Sequence, residues 1–228
     1  MQRMSKRFKE VKNLTQPKPY VLEEALSLLK QTATAKFVES SEVHFCLNLN
    51  PKYADQQLRA TVVLPHGTGR NIKVVAITSS DSSLKAADVG AERIGSDDLI
   101  EAINAGYTDF DVLIAEPDMM PKIAKLGRVL GPKGLMPSPK AGTVTKDIVT
   151  AIQEFKRGKL EYRVDKTGIV HINFGKVDFP VTQLQENFLT VYKSIMQNKP
   201  SGAKGKYLKK LYICSTMGPS IELDYSLL

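Results

Sequence analysis

Val43, Phe45, Leu47 and Leu49 alternate with polar neighbours, the period-two pattern of a strand with one face in a core and the other toward water. LRATVVLP (58–65), LEYRV (160–164), GIVHINF (168–174) and KYLKKLYICS (206–215) predict further strands. DKTG (165–168) has the composition of a hairpin turn between the second and third of these. VLEEALSLLKQTA (21–33) repeats its apolar positions at helical spacing, and residues 181–197 also read as helix. The two ends of the chain thus carry an α+β pattern.

The middle reads differently. IKVVAI (72–77) and DVLIA (111–115) are short apolar runs suited to strands buried on both faces of a parallel sheet. Helical signals follow from about Ser83 to Ala91, after Ser96 in DDLIEAINAG, around Met119 to Leu126, and from Thr145 in TKDIVTAIQEFKRG, with Gly106 and Gly158 as stops. Repeated strand–helix units predict a small parallel sheet covered by helices. Neither end has enough elements for its own core. The expected fold is therefore two-domain: residues 1–67 and 160–228 form one discontinuous α+β domain, and residues 68–159 form an inserted, Rossmann-like three-layer α/β domain. The chain crosses between them near PHGTGRN and KRGKL, where Gly67, Gly69 and Gly158 are candidate hinge residues.

Charge sharpens this division. The 228 residues carry a formal net charge of +8, which points to anionic partners. Residues 1–67 contribute +4 and residues 160–228 contribute +3, whereas residues 68–159 contribute only +1. Two stretches, Met119–Lys146 and Asn187–Ile221, hold six cations each and no carboxylate, the one-sign field expected of a phosphate-backbone binder. No apolar run approaches the roughly 20 residues of a membrane span. The first residues lack the apolar core of a secretory signal, and two cysteines in a chain this long do not make a disulfide framework. A protein that works in a reducing compartment is expected.

The chemistry-bearing motifs mostly fail their tests. GRVLGPKGLMPSPKAGTVT (127–145) does not match the phosphate-binding loop, because only three residues separate Gly127 from Gly131 and Pro132 removes an amide. HGTGRNIKV has Ile72 where a dinucleotide fingerprint needs its third glycine, and its glycines precede the strand. His44 and Cys46 share a strand face, but no second pair has ligand spacing. Neither a catalytic residue nor a cofactor or metal is expected. In 127–145, Pro132, Pro137 and Pro139 are read as forbidding a continuous helix. A proline-stiffened loop is expected, anchored by Leu130, Leu135 and Met136, that holds Arg128, Lys133 and Lys140 outward for a polyanion.

GRVLGPKGLMPSPKAGTVT preceded by DVLIAEPDMM closely resembles the signature of the ribosomal protein L-one family. TAKFVESSEVH (34–44), LPHGTGR, DKTGIVHINFGK, KPSGAKGKY and STMGPSIELD (215–224) extend the resemblance over most of the chain, with Pro121-Lys122 as one departure and features of the cyanobacterial and plastid branch. The resemblance implies a non-catalytic protein of the mobile stalk, bound to large-subunit ribosomal RNA, in a bacterial cytoplasm or a plastid. Accompanying deacylated transfer RNA out of the exit site and repressing its own messenger RNA are further implied roles, with no membrane contact and a monomer when free. The implied RNA surface combines Lys36, Phe37, Ser40 and Glu42 with Ser215, Thr216, Met217 and Gly218, while Asp165, Lys166 and His171 are secondary. Gly218 is expected to allow close backbone approach, the hydroxyls to reach ribose 2′-OH groups, and Phe37 and Met217 to pack on sugars or bases.

Overall fold

The computed structural model describes residues 5–78 and 90–227. The helix expected from Ser83 falls almost wholly outside the described residues. The chain divides into two compact units, one made of residues 1–69 with 162–228 and the other of residues 70–161.

The first unit is built on a four-stranded sheet in the order β7–β1–β8–β9, comprising β1 (Ser40–Leu47), β7 (Ile169–Lys176), β8 (Leu208–Ser215) and β9 (Ile221–Glu222). The pairings of β1 with β7 and β8, and of β8 with β9, are antiparallel. Strand β1 is central, and its residues alternate strictly between half-buried and buried. Val43, Phe45 and Leu47 point inward, as do Val170, Ile172 and Phe174 of β7 and Leu211 and Ile213 of β8. They meet helices α2 (Leu22–Thr32) and α7 (Val181–Gln197), whose Leu26, Leu29, Leu184, Phe188, Val191 and Ile195 are fully buried. The Phe45 and Phe188 rings stack at 6.5 Å between centroids, and Phe174 meets Phe188 edge-on at 6.0 Å. Each such side chain contributes about 1.5–3 kcal/mol on burial, so this face fixes the register. The opposite face of the sheet carries Glu42, His44 and Cys46 in its central lane.

A short helix the sequence pattern did not reveal, α1 (Lys6–Lys12), precedes α2 and is capped by the Ser5 hydroxyl, which accepts from the Phe8 N–H at 3.2 Å. Strands β2 (Arg59–Val63) and β6 (Lys159–Arg163) form a separate two-stranded sheet. The DKTG turn forms, but β6 and β7 are not a full hairpin: only Val164 and Val170 bridge, because β7 pairs with β1 and β6 with β2. Asn187, wholly buried on α7, ties down the start of the crossing. Its amide donates to the Gly67 and Phe174 carbonyls at 3.0 and 2.9 Å, and its oxygen accepts from the His66 N–H at 3.1 Å.

The second unit centres on a parallel three-stranded sheet in the order β4–β3–β5, with β3 (Val74–Ile77), β4 (Arg93–Gly95) and β5 (Val112–Ala115). All four residues of β3 are buried. Its side chains enter two separate apolar clusters. Val75 and Ile77 meet helices α3 (Asp97–Asn104), α4 (Met120–Ala124) and α5 (Gly127–Lys133) through Leu99, Ile103, Ile123 and Leu130. Val74 and Ala76 meet α6 (Ile148–Arg157) through Ile148, Ile152 and Phe155. The cap of α6 is Asp147, which accepts from the Thr150 N–H at 3.2 Å; the helix starts later than the expected Thr145.

The expectation of an irregular, proline-stiffened segment in 127–145 holds for most of residues 134–145 but fails for residues 127–133. Residues 127–133 are helical with Pro132 inside, and Gly134 ends the helix in a left-handed conformation (φ 72°) with the Leu135 N–H bonded back to the Leu130 carbonyl at 3.1 Å. An interior proline costs about 3 kcal/mol. Full burial of Leu130, with Leu126 at its start and Leu135 and Met136 packed against the same cluster, outweighs that cost and pulls the turn into helix.

Candidate nucleic-acid interface

Antiparallel pairing of β1 with β8 brings residues 34–42 and 215–218 to one corner of the first unit. The Ser41 and Ser215 backbones are directly opposite. Beyond them the Thr216 N–H donates to the Ser40 carbonyl at 3.1 Å, and the Ser40 N–H donates to the Thr216 hydroxyl at 3.0 Å. Glu39, only 2% exposed, lies beneath this corner. One of its carboxylate oxygens accepts from the Ala35 N–H and the other from the Met217 N–H, both at 2.9 Å. Burial alone would raise its pKa, but those two backbone donors, with smaller help from the Arg7 charge, hold it below the ordinary value. Arg7 of α1 adds a third clamp, donating to the Thr34 hydroxyl at 3.2 Å and the Met217 carbonyl at 3.1 Å.

What this clamp presents is apolar and exposed. Phe37 is 56% exposed, Val38 49% and Met217 49%. Lys36 and Thr216 are exposed beside them, and Ser40 is half-buried with its hydroxyl accepting from Lys176 at 2.9 Å. Large side chains that a fold holds outward on a fixed backbone mark an interaction surface.

Two of the expected contact residues have different jobs. Ser215 faces inward with the core lane of β8 and is 1% exposed, so its hydroxyl is not available to a ligand. Gly218 was expected for close approach of an RNA backbone. A Cβ there would meet the Ser215 hydroxyl, so the glycine also leaves room for that side chain within the turn.

The outward face of the sheet runs away from this corner. Glu42 sits opposite Asn173 and Cys214, and His44 opposite His171 and Tyr212. His44 and His171 meet through their Nδ1 atoms at 2.8 Å, and the Nε2 atom of His44 lies 3.1 Å from the Cys214 sulfur. Burial, then the neighbouring His171, lowers the His44 pKa; burial, then Glu42, pushes the Cys214 thiol up to about 11.

Asp165 lies at the far end of β7. It is partly desolvated, which would raise its pKa. Its Oδ1 nevertheless accepts from the Thr167 and Ile169 N–H groups at 2.9 and 2.8 Å, and its pKa falls to about 2. Asp165 is thus the organiser of the DKTG turn, with Lys166 exposed at the tip and His171 Nε2 at 3.6 Å from its Oδ2. Ser40 and Asp165 stand at opposite ends of the face, roughly 20 Å apart at strand rise. The fold thus joins Lys36, Phe37, Ser40, Thr216 and Met217 at one corner, with Glu42 and His171 along the adjoining face.

The acid-free windows are not acid-free in space. Lys122 is held by both oxygens of Asp97 at 2.6 and 2.8 Å, and Lys210 lies 3.2 Å from Glu222 on the next strand. In the second unit Arg128, Lys133 and Lys140 are exposed, and the Lys133 ammonium donates to the Thr108 hydroxyl. Residues Glu39, Arg7 and Cys214 escaped the sequence reading, and His44 was weighed there only with Cys46. For Glu39 the available signal was a carboxylate directly after the apolar pair Phe37-Val38.

Residues 29–219 match the sequence model of the ribosomal protein L1p/L10e family. The chain is 60% identical over 226 residues to the large ribosomal subunit protein uL1c of Guillardia theta, covering 99% of this chain and 97% of that one. It is 57% identical over 228 residues to the uL1c protein of Trieres chinensis, covering 100% and 99%. It is also 57% identical to the uL1 protein of Prochlorococcus marinus (strain MIT 9515), covering 100% of this chain and 97% of the other.

Proposed function

The chain belongs to the ribosomal protein L1p/L10e family, in its bacterial and plastid form, and from that premise we propose that its corner of residues 36–42 and 216–217 binds folded large-subunit ribosomal RNA. The protein is a structural component of the large ribosomal subunit in a bacterial cytoplasm or a plastid, and not an enzyme. The observation that carries the RNA reading is the exposed Phe37–Val38–Met217 patch, held rigid by the buried Glu39 and flanked by Lys36 and the Thr216 hydroxyl. An apolar patch alone would suit a protein partner. Aromatic and thioether groups beside hydroxyl donors and a cation suit unstacked bases, ribose 2′-OH groups and phosphate together. Glu42, Lys166 and His171 extend the surface along the sheet, and Ser215 and Gly218 shape the turn from within.

The same reading takes residues 68–159 as an inserted Rossmann-like domain, in keeping with its parallel sheet and the apolar clusters on both faces. Its exposed Arg128 and Lys140, with Lys133, would meet RNA secondarily, including transfer RNA leaving the exit site. Gly67, Gly69 and Gly158, at φ of 64°, 68° and 109°, are the proposed hinge residues. An RNA surface that needs no second copy also suits repression of the protein's own messenger RNA.

The test is equilibrium binding of the full chain to a large-subunit stalk RNA fragment, comparing wild type with Phe37→Ala and Met217→Ala. Both side chains are about half exposed, so the melting temperature should hold. Loss of base or sugar packing worth about 1–3 kcal/mol predicts roughly a five- to 150-fold weaker complex. Unchanged affinity in both folded variants would place the RNA elsewhere.

A further inference from the structure

We propose that Glu42, His44 and Cys214 form a binding site for a thiophilic divalent cation of the zinc class. A carboxylate oxygen of Glu42, a ring nitrogen of His44 and the Cys214 sulfur all lie within 4.8 Å of one another, and each residue is half-buried. The sheet register enforces this, since Glu42 and His44 share the outward side of β1 and Cys214 stands opposite Glu42 on β8. In a tetrahedral zinc site the nitrogen and sulfur ligands stand about 3.5 Å apart, from bond lengths of about 2.0 and 2.3 Å. His44 Nε2 and Cys214 Sγ are at 3.1 Å, so admitting the ion needs a displacement of about half an ångström. One imidazole, one thiolate and one carboxylate would neutralise a divalent charge, and solvent can fill the fourth position.

A second observation supports the assignment: the far ring nitrogen of His44 has a partner, as in metal-binding histidines, here the ring of His171. Asp165 is ionised at neutral pH and faces the Nε2 atom of His171 at 3.6 Å. With its proton on that side, His171 presents Nδ1 as an acceptor, and the 2.8 Å contact between the two Nδ1 atoms is then filled by the proton of His44. That leaves the lone pair of His44 on Nε2, toward Cys214. Binding forms the sulfur–metal bond and releases the thiol proton of Cys214 to the buffer, with no change of oxidation state.

The proposal shares Glu42 with the RNA reading but does not depend on it, and it is tested on free protein. Reduced full-length chain is titrated with Co2+, and the thiolate-to-cobalt charge-transfer band and the visible bands of a tetrahedral ion are followed. One equivalent should saturate them, and zinc should displace them. Cys214→Ser and His44→Gln should abolish the charge-transfer band, whereas Cys46→Ser should retain it. His171→Gln should keep the band but weaken binding by about tenfold or more, as expected for a residue that orients a ligand. Because Cys214→Ser could lose its fold, wild type is also melted with and without one equivalent of zinc, which should raise its melting temperature. No band and no zinc-dependent rise in folded wild type would overturn the site, as would a band that survives Cys214→Ser.

Discussion

Replacing Glu39 by Gln removes a charge and one acceptor while keeping the side-chain shape. In wild type the two carboxylate oxygens take the N–H groups of Ala35 and Met217, each at 2.9 Å. Gln keeps one carbonyl oxygen and turns an NH2 group toward the other donor. One bond to a charged acceptor, worth about 1.5–3 kcal/mol, is lost, and the other becomes neutral, losing about a further 1 kcal/mol. The variant should therefore be destabilised by about 2–4 kcal/mol at neutral pH. The folded-state pKa of Glu39 is depressed below 4.5. Its contribution is therefore fully present above that value and disappears as pH falls through the folded pKa. Urea unfolding of wild type and Glu39→Gln across a pH series reads both effects: a gap at neutral pH that narrows in acid. A gap under about 0.5 kcal/mol at neutral pH, below what one lost charged hydrogen bond costs, would refute the clamp. So would one that stays constant as the carboxyl protonates.

Asn187→Leu keeps the branched outline of a wholly buried side chain, with somewhat greater bulk, but strips three backbone partners, the His66 N–H and the Gly67 and Phe174 carbonyls. A loss of about 2–4 kcal/mol in urea unfolding is expected, and a loss below about 1 kcal/mol would show that water satisfies those groups. Asp165, with its pKa lowered from 3.8 to about 2, stabilises the fold above its unfolded pKa, and that stability drains away between about pH 4 and pH 2. Asp165→Asn should flatten this part of the pH–stability curve; an unaltered curve would remove Asp165 from its organising role.

Strands and long helices were legible because burial on one face writes a period into the chain. β1, with its strict alternation, and the stripe on α6 are of this kind. What misled was local chemistry that tertiary burial overrides. Pro132 argues against helix on its own, yet the helix is held by Leu130, whose partners Leu99 and Ile103 come from another part of the chain. The DKTG turn was legible from its composition, but the pairing of β6 with β2 instead of β7 was not. Edge choice between strands depends on which sheet offers a partner, and no pattern within 160–174 records that.

The candidate interface was legible only where its residues are consecutive. Phe37 and Met217 each sit in a recognisable stretch, but the contact between the stretches exists because β1 and β8 pair across some 170 positions of chain. Glu39 and Cys214 gain their meaning from that pairing alone. Linear spacing could compare His44 only with Cys46, two residues away; the register sets it instead beside Cys214 and His171. The same logic explains why Ser215 and Gly218 look like contact residues from their neighbours yet serve the turn from inside: one buries its hydroxyl, and the other leaves room for it. An exposed Phe and Met held on a clamped backbone lose little further conformational freedom when they meet a partner. On the proposed RNA reading the buried carboxylate serves recognition although it touches no ligand, and a sequence reading that looks only for side chains able to reach RNA will pass over it.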